Sequence, residues 1–130
     1  MKADRDIRFG HEKLEAYVVA REFLACADRI ARRLPRGSAA LRDQLDRAAS
    51  SVLLNLAEGA GRRASKEKSH HFDIARGSAT ECAAVLDVLA IRRLAPADEI
   101  AGARRLLHRA VCMLSGLARS AIARSAARGP

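Results

Sequence analysis

The chain has 130 residues and a mass of 14.0 kDa, a size that suits one domain with a real hydrophobic core. Apolar residues make up 49% of it and aromatic residues 3%, which excludes a largely disordered chain and favours helices rich in Ala and Leu. The net charge of +9 indicates either a solubility role or affinity for a polyanion.

The first predicted helix runs from about residue 11 to 34, because apolar residues recur at three- and four-residue spacing. The Pro-Arg-Gly run at 35–37 ends it, and Ser38 is the expected N-cap of a second helix from 38 to about 60. The residues of the first apolar seam are Tyr17, Ala20, Leu24, Ala27, Ala31 and Leu34.

The second predicted helix interrupts its own apolar pattern. Its seam continues to Val52, but the next seam position is Asn55, followed by Glu58, Gly59 and Gly61. A buried amide and a carboxylate beside two glycines destabilise a helix unless other groups compensate them. We therefore expect polar partners for this segment, with a helix end at Gly61. The earlier seam residues are Leu41, Leu45 and Ala48.

The third predicted helix spans about 66–93, with Ser65 as its expected N-cap and a second polar interruption at 76–81. Pro96 favours the first turn of a fourth helix over 97–125. The two seams are Phe72, Ala75, Ala79, Cys82, Leu86 and Leu89, and then Ile100, Ala103, Leu107, Ala110, Leu114, Leu117 and Ala121.

Four helices with short connections predict an all-α protein, an up-down-up-down antiparallel four-helix bundle that forms one domain over 1–130 with flexible termini. The helices carry more apolar residues than one face each requires, which favours a second buried face and self-association. A generous core is the alternative. The additional apolar residues are Phe23, Ile30, Leu53, Leu56, Ile74, Val85, Val88, Leu106, Val111 and Ile122.

The stretch QLDRAASSVLLNLAEGAGRRASKE, followed by FDIARGSATE, resembles a family of small bacterial four-helix bundle proteins. The family comprises the 23S rRNA intervening-sequence proteins and the accessory variability determinants of diversity-generating retroelements. The resemblance covers about residues 9–117 and departs from the family at 52–54, where Ile-Pro-Ser is frequent, and at Cys82, where leucine is common. The shared motif residues are Arg47, Ala48, Ser51, Asn55, Ala57, Glu58, Gly59, Arg62, Arg76, Gly77, Ser78 and Glu81.

This resemblance implies a protomer that assembles into a ring-shaped homopentamer. The retroelement members form a basic ring that works with a reverse transcriptase and its RNA, whereas most other members have no known function. Nothing in the sequence shows that a reverse transcriptase accompanies this chain.

The polar residues of the second and third helices allow two interpretations: a catalytic or ligand pocket, or a buried hydrogen-bonded network that joins the helices. We favour the network, because arginine binds a carboxylate through two bonds and a buried polar cluster can set helix register. Gly59 and Gly77 would let the backbones approach. The network residues are Asn55, Glu58, Arg76 and Glu81.

Enzymatic and metal chemistry find little support in the pattern. No nucleophile–base pair, phosphate-binding glycine loop or paired-carboxylate signature is visible. The only Glu-x-x-His run is at 67–70, where it fits a helix start better than a di-iron site. Three cysteines without a CxxC pair predict core thiols in a reducing cytosol. We expect a cytoplasmic non-enzyme without cofactor, metal or membrane contact.

The basic residues are the remaining candidates. Residues 66–99 carry five basic and six acidic side chains, whereas six arginines and no acid follow Glu99. The planar guanidinium suits phosphate, and the scarcity of aromatic residues predicts phosphate-led binding to RNA or DNA with little base specificity. The candidate nucleic-acid contacts are Arg62, Arg63, Lys66, Arg104, Arg105, Arg109 and Arg119.

Two functions therefore stay open. The first is a non-enzymatic oligomeric bundle that binds nucleic acid through arginine–phosphate contacts. The alternative is a structural adaptor for a protein, such as a reverse transcriptase or another acidic protein, without direct contact to nucleic acid. Salt distinguishes them, because counterion release weakens nucleic-acid binding steeply and apolar protein contacts respond far less.

Overall fold

The structure, a computed structural model, describes residue 10 and residues 14–128, with Arg128 described by its backbone only. Its elements are α1 (Glu15–Arg32), α2 (Ala39–Gly61), α3 (Ser65–Ile91) and α4 (Ala97–Arg128). Each helix packs against the next one along the chain, and α4 packs back against α1. The prediction of an all-α four-helix bundle is confirmed; the start of the first predicted helix lies outside the described residues.

The core lies along the axis that the four helices surround, and all of them contribute to it. The predicted seams are confirmed, since most of their residues are buried and the others are half-buried. The largest fully buried side chains are Phe23, Ile30, Leu45, Leu56, Leu86, Leu89, Leu114, Val52 and Cys82.

The additional apolar residues fill this same core more than they form a second face. Phe23, Ile30, Leu56 and Val85 are at most 3% exposed within a single protomer, so the inference of a second face from them was wrong. Among the described residues the large apolar side chains that are exposed are Val18, Leu54, Ile74, Ile91 and Ile122.

Neither of the two serines predicted as N-caps forms a capping hydrogen bond, and only one of them takes the N-cap position. Ser38 occupies the N-cap position of α2, but its side chain makes no capping hydrogen bond. Ser65 is the first helical residue of α3, and the N-cap position belongs to Ala64, which has no polar side chain. The amides that start α3 therefore lack the side-chain acceptor that serine was expected to supply.

Basic side chains bind the carboxyl ends of α1 and α2 instead. Arg42 donates from Nε to the carbonyl of Ala31 at 3.0 Å and from Nη2 to that of Leu34 at 3.1 Å. Lys68 donates from Nζ to the carbonyls of Gly59 and Ala60 at 3.2 and 3.0 Å. Each cation belongs to the first turn of the following helix. The attraction between its charge and the carbonyl end of the preceding helix stabilises the turn between the two helices.

The turn between α3 and α4 closes through backbone bonds. The amide of Leu94 donates to the carbonyl of Leu89 at 2.9 Å, and that of Arg93 donates to the carbonyl of Ala90 at 3.2 Å. This is a Schellman motif, which requires a left-handed residue after the helix. Arg93 fills that position with φ of 55°.

Candidate nucleic-acid interface

The contact between α2 and α3 contains polar groups, but different ones from those predicted. Asn55 donates from Nδ2 to the Ser51 carbonyl at 3.0 Å. Its Oδ1 lies 3.1 Å from His71 Nδ1, and this nitrogen is the donor because an amide oxygen can only accept. The hydroxyls of Ser51 and Ser78 lie 2.7 Å apart. These four half-buried residues form the polar contact across the two helices.

The structure does not bring the four predicted network residues together. Exposed Glu58 pairs at 3.1 Å with Arg62, the residue that follows α2. Exposed Arg76 pairs with Asp73 at 3.3 Å within α3. Half-buried Glu81 has no ion pair among the described residues. Only Asn55 takes part in the cross-helix contact, because α3 is rotated so that Arg76 faces outward.

Gly59 and Gly77 also differ in what they permit. A Cβ on Gly59 would lie 2.6 and 2.8 Å from two atoms of the Phe72 ring, so this glycine does allow a close approach. A Cβ on Gly77 would meet nothing within 4 Å. The predicted role of glycine in helix approach therefore holds at Gly59 and was wrong at Gly77.

One group of basic residues lies at the end of the bundle where α2 passes into α3. Arg62, Arg63 and Lys66 are exposed there. The carboxyl-terminal turns of α4 reach the same end, since Ile122 and Lys66 line one cleft. This end of the bundle therefore gathers cations from the turn between α2 and α3 and from the start of α3, beside the last turns of α4.

A second group of basic residues lies nearer the start of α4. Arg104, Arg105 and Arg109 are exposed, and Arg104 binds Asp87 of α3 near the opposite end of the bundle. The helical rise separates Arg104 from Ile122 by about 27 Å. The candidate residues thus form two groups rather than one patch, with Arg119 between them on α4.

The seven candidate residues differ in whether they form ion pairs. Arg104 binds Asp87 at 2.7 Å, and Arg109 lies 3.8 Å from Glu15. Arg62 is held by Glu58, so three of the candidate charges already have acidic partners. Within the described residues the other four have no ion pair; they are Arg63, Lys66, Arg105 and Arg119.

Of the three cysteines predicted to be core thiols, Cys82 is buried, Cys26 is half-buried and Cys112 is exposed, so the prediction was wrong at Cys112. Cys82 is fully buried, and burial raises the pKa of its thiol to about 12, with a further contribution from the neighbouring Glu81 carboxylate. A thiol in that state is a poor nucleophile at neutral pH. No group of three or more potential metal ligands occurs in the part of the chain that the structure describes.

Sequence reasoning missed the roles of Ser51, Lys68, His71 and Ser78. Ser51 and Ser78 belong to the two polar motifs, so their types were visible, but their partners depend on the rotation of two helices. Among the helices over 14–128, none is both long and apolar enough to cross a membrane.

A family model described as 23S rRNA-intervening sequence protein matches residues 12–116, which is most of the chain. No curated protein matches the chain.

Proposed function

Since the chain belongs to the 23S rRNA-intervening sequence protein family, whose role is unknown, we propose a function from its surface: a non-enzymatic oligomer that binds RNA or DNA through arginine–phosphate contacts. The observation that carries the proposal is the presence of exposed cations without acidic partners among the described residues. These cations are Arg63, Lys66, Arg105 and Arg119.

Physical chemistry supports a phosphate ligand for these side chains. Guanidinium groups bind phosphate oxygens through two parallel bonds, and a cation without a carboxylate partner has no ion pair to give up on binding. The acid-free sequence after Glu99 extends the positive field along α4. A cytoplasmic location and the homopentamer remain predictions that accompany this proposal; a ring would repeat both basic groups in every subunit.

The test is fluorescence anisotropy with a labelled single-stranded RNA and a labelled duplex DNA across a salt series. We expect micromolar or tighter binding. The logarithm of the association constant should fall linearly with the logarithm of the salt concentration. The double variant R105Q/R119Q should weaken binding to every sequence and reduce the magnitude of the salt slope by about one for each lost phosphate contact.

The matched control is R32Q/R33Q, which removes the same charge from arginines that are already paired. Arg32 binds Asp28 and Asp46, and Arg33 binds Glu99 at 2.7 Å. We expect this variant to bind more tightly than R105Q/R119Q. Absence of binding at low salt would contradict the proposal and direct the search to the protein-adaptor alternative.

A further inference from the structure

The histidine of the polar contact is held in one tautomer. The Ser51 carbonyl can only accept, so the Asn55 atom that lies 3.0 Å from it is the donor Nδ2, and Oδ1 is turned towards His71. Because Oδ1 can only accept in its turn, Nδ1 of His71 carries the proton of the neutral ring. Nε2 of the same ring therefore keeps its lone pair and is a hydrogen-bond acceptor.

This acceptor belongs to a ring that lines an open cleft. His71 shares the cleft, of about 370 Å³, with Arg62, Lys66, Glu67 and His70. The centroids of the two imidazole rings lie 5.5 Å apart, with their planes at 67°. Among the described residues none donates a hydrogen bond to His71 Nε2. The half-buried ring therefore offers an oriented acceptor to a ligand in the cleft.

The charged groups of the cleft favour an anionic ligand. Lys66 is exposed and has no ion pair within the described residues. Arg62 adds a second exposed guanidinium charge, which Glu58 partly offsets. The acid of the cleft, Glu67, forms no ion pair with either histidine in the described part of the chain. A ligand that fits must bring negative charge for the cations and a neutral donor for the imidazole.

We propose that His71 Nε2 accepts a hydrogen bond from a ribose 2′-hydroxyl, and that the cleft thereby distinguishes RNA from DNA. RNA brings both required groups, because its 2′-hydroxyl donor lies beside the phosphodiester that Lys66 and Arg62 attract. DNA brings the phosphate without the donor. The contact is made with the sugar, so it requires no particular base. This inference rests on the proposed function and adds which nucleic acid is preferred.

Matched oligonucleotides test the inference on the unmodified protein. Single-stranded RNA, 2′-fluoro-RNA and DNA of one sequence carry the same number of phosphates, and the 2′-fluoro group keeps an RNA-like sugar conformation without a donor. We expect RNA to bind about fivefold more tightly than either of the others, which is the effect of one net hydrogen bond. Fluorescence anisotropy at one salt concentration gives the three dissociation constants.

Three variants then locate the acceptor. H71F keeps an aromatic ring but has no nitrogen, so the ratio of RNA affinity to DNA affinity should fall to about one. H108F is the matched control, because His108 is an exposed histidine on α4 outside the cleft, and the fivefold preference should remain. E67Q removes the acid of the cleft but not the imidazole. It should tighten binding of all three oligonucleotides by the same factor.

The imidazole nitrogens report the contact directly. In ¹⁵N-labelled protein, His71 Nε2 should resonate as an unprotonated nitrogen. Its signal should move upfield when RNA is added, because the lone pair then accepts a hydrogen bond, and should not move in this way with 2′-fluoro-RNA.

The outcomes separate this inference from the proposed function. Equal affinity of the unmodified protein for the three oligonucleotides would overturn the inference and leave the proposed function standing. A preference for RNA that survives in H71F would also overturn it, because the 2′-hydroxyl would then be recognised elsewhere. Absence of binding to all three at low salt would end both.

Discussion

Gly59 determines how closely α2 and α3 can pack. The Phe72 ring that a new Cβ would meet is only 4% exposed, so the ring has little room to move. We expect G59A to destabilise the protein by about 1–3 kcal/mol through overpacking, although alanine is the better helix former. Urea unfolding followed by circular dichroism measures this difference.

G77A is the matched control for that variant. Gly77 lies in the middle of α3 with nothing within 4 Å of a new Cβ. The substitution should stabilise α3 by about 1 kcal/mol, because alanine loses less backbone entropy than glycine in a helix. If G59A proved as stabilising as G77A, the close approach at Gly59 would not be a constraint.

The polar residues show what could and could not be predicted at this scale. Asn55 was expected to need a partner because it falls on an apolar seam, and it has two, in Ser51 and His71. Glu58 and Arg76 were expected to join it, but Glu58 pairs with Arg62 just after the end of α2, and Arg76 pairs with Asp73 within α3. The spacing of residues along one helix shows which of them share a face. Pairing between helices also depends on how each helix is rotated about its axis, and the spacing does not give that rotation.

At the scale of the helices, Arg42 and Lys68 occupy equivalent positions. Each is the fourth residue of its helix, and each reaches back to the last carbonyls of the helix before it. We expect R42A to destabilise the protein by about 2 kcal/mol, because it leaves part-buried carbonyls without a charged donor. Denaturant unfolding against R47A, an exposed arginine without an ion pair in the described chain, provides the comparison.

The helix ends could be predicted only where the residue type itself decides them. Apolar periodicity located all four helices. Ser38 takes the predicted N-cap position without a capping hydrogen bond, whereas the Ser65 cap was wrong because the backbone places Ser65 one residue inside α3. The end of α3 was expected at about residue 93. The structure ends it at Ile91, because the Schellman bonds place Arg93 in a left-handed conformation that sequence favours only for glycine or asparagine.

At the scale of the whole molecule, fewer apolar side chains are exposed for self-association than the sequence indicated. Leu54 is 63% exposed and Ile74 37% exposed, on neighbouring helices that share the polar contact. If the protein is an oligomer through this face, L54Q/I74Q should lower the mass measured by light scattering while helix content stays the same. V18Q/I91Q, at exposed apolar residues of α1 and α3, is the control.

A stable mass of 14.0 kDa for the unmodified protein at micromolar concentration would contradict the oligomer outright. An unchanged mass in L54Q/I74Q would instead move the interface to another face. The two results are separable because one concerns whether subunits associate and the other concerns where.

The basic surface was the least predictable feature at this scale. The sequence shows which arginines lack nearby acids along the chain, but Arg104 finds Asp87 on another helix and Arg109 finds Glu15 on a third. Distance along α4 also divides the candidates into two groups. Composition therefore indicated a polyanionic partner, whereas the tertiary structure decides which arginines are free of acidic partners within the described residues.

The order of the helix contacts along the chain affects how the chain reaches its native state. Three of the four main helix contacts join helices that are consecutive in the chain, and the fourth joins α1 with α4. Local contacts form quickly because little loop-closure entropy opposes them, so hairpins can form while synthesis continues. The α1 contact with α4 forms only after α4 has been synthesised, and until then the apolar face of α1 that α4 covers stays exposed to chaperones.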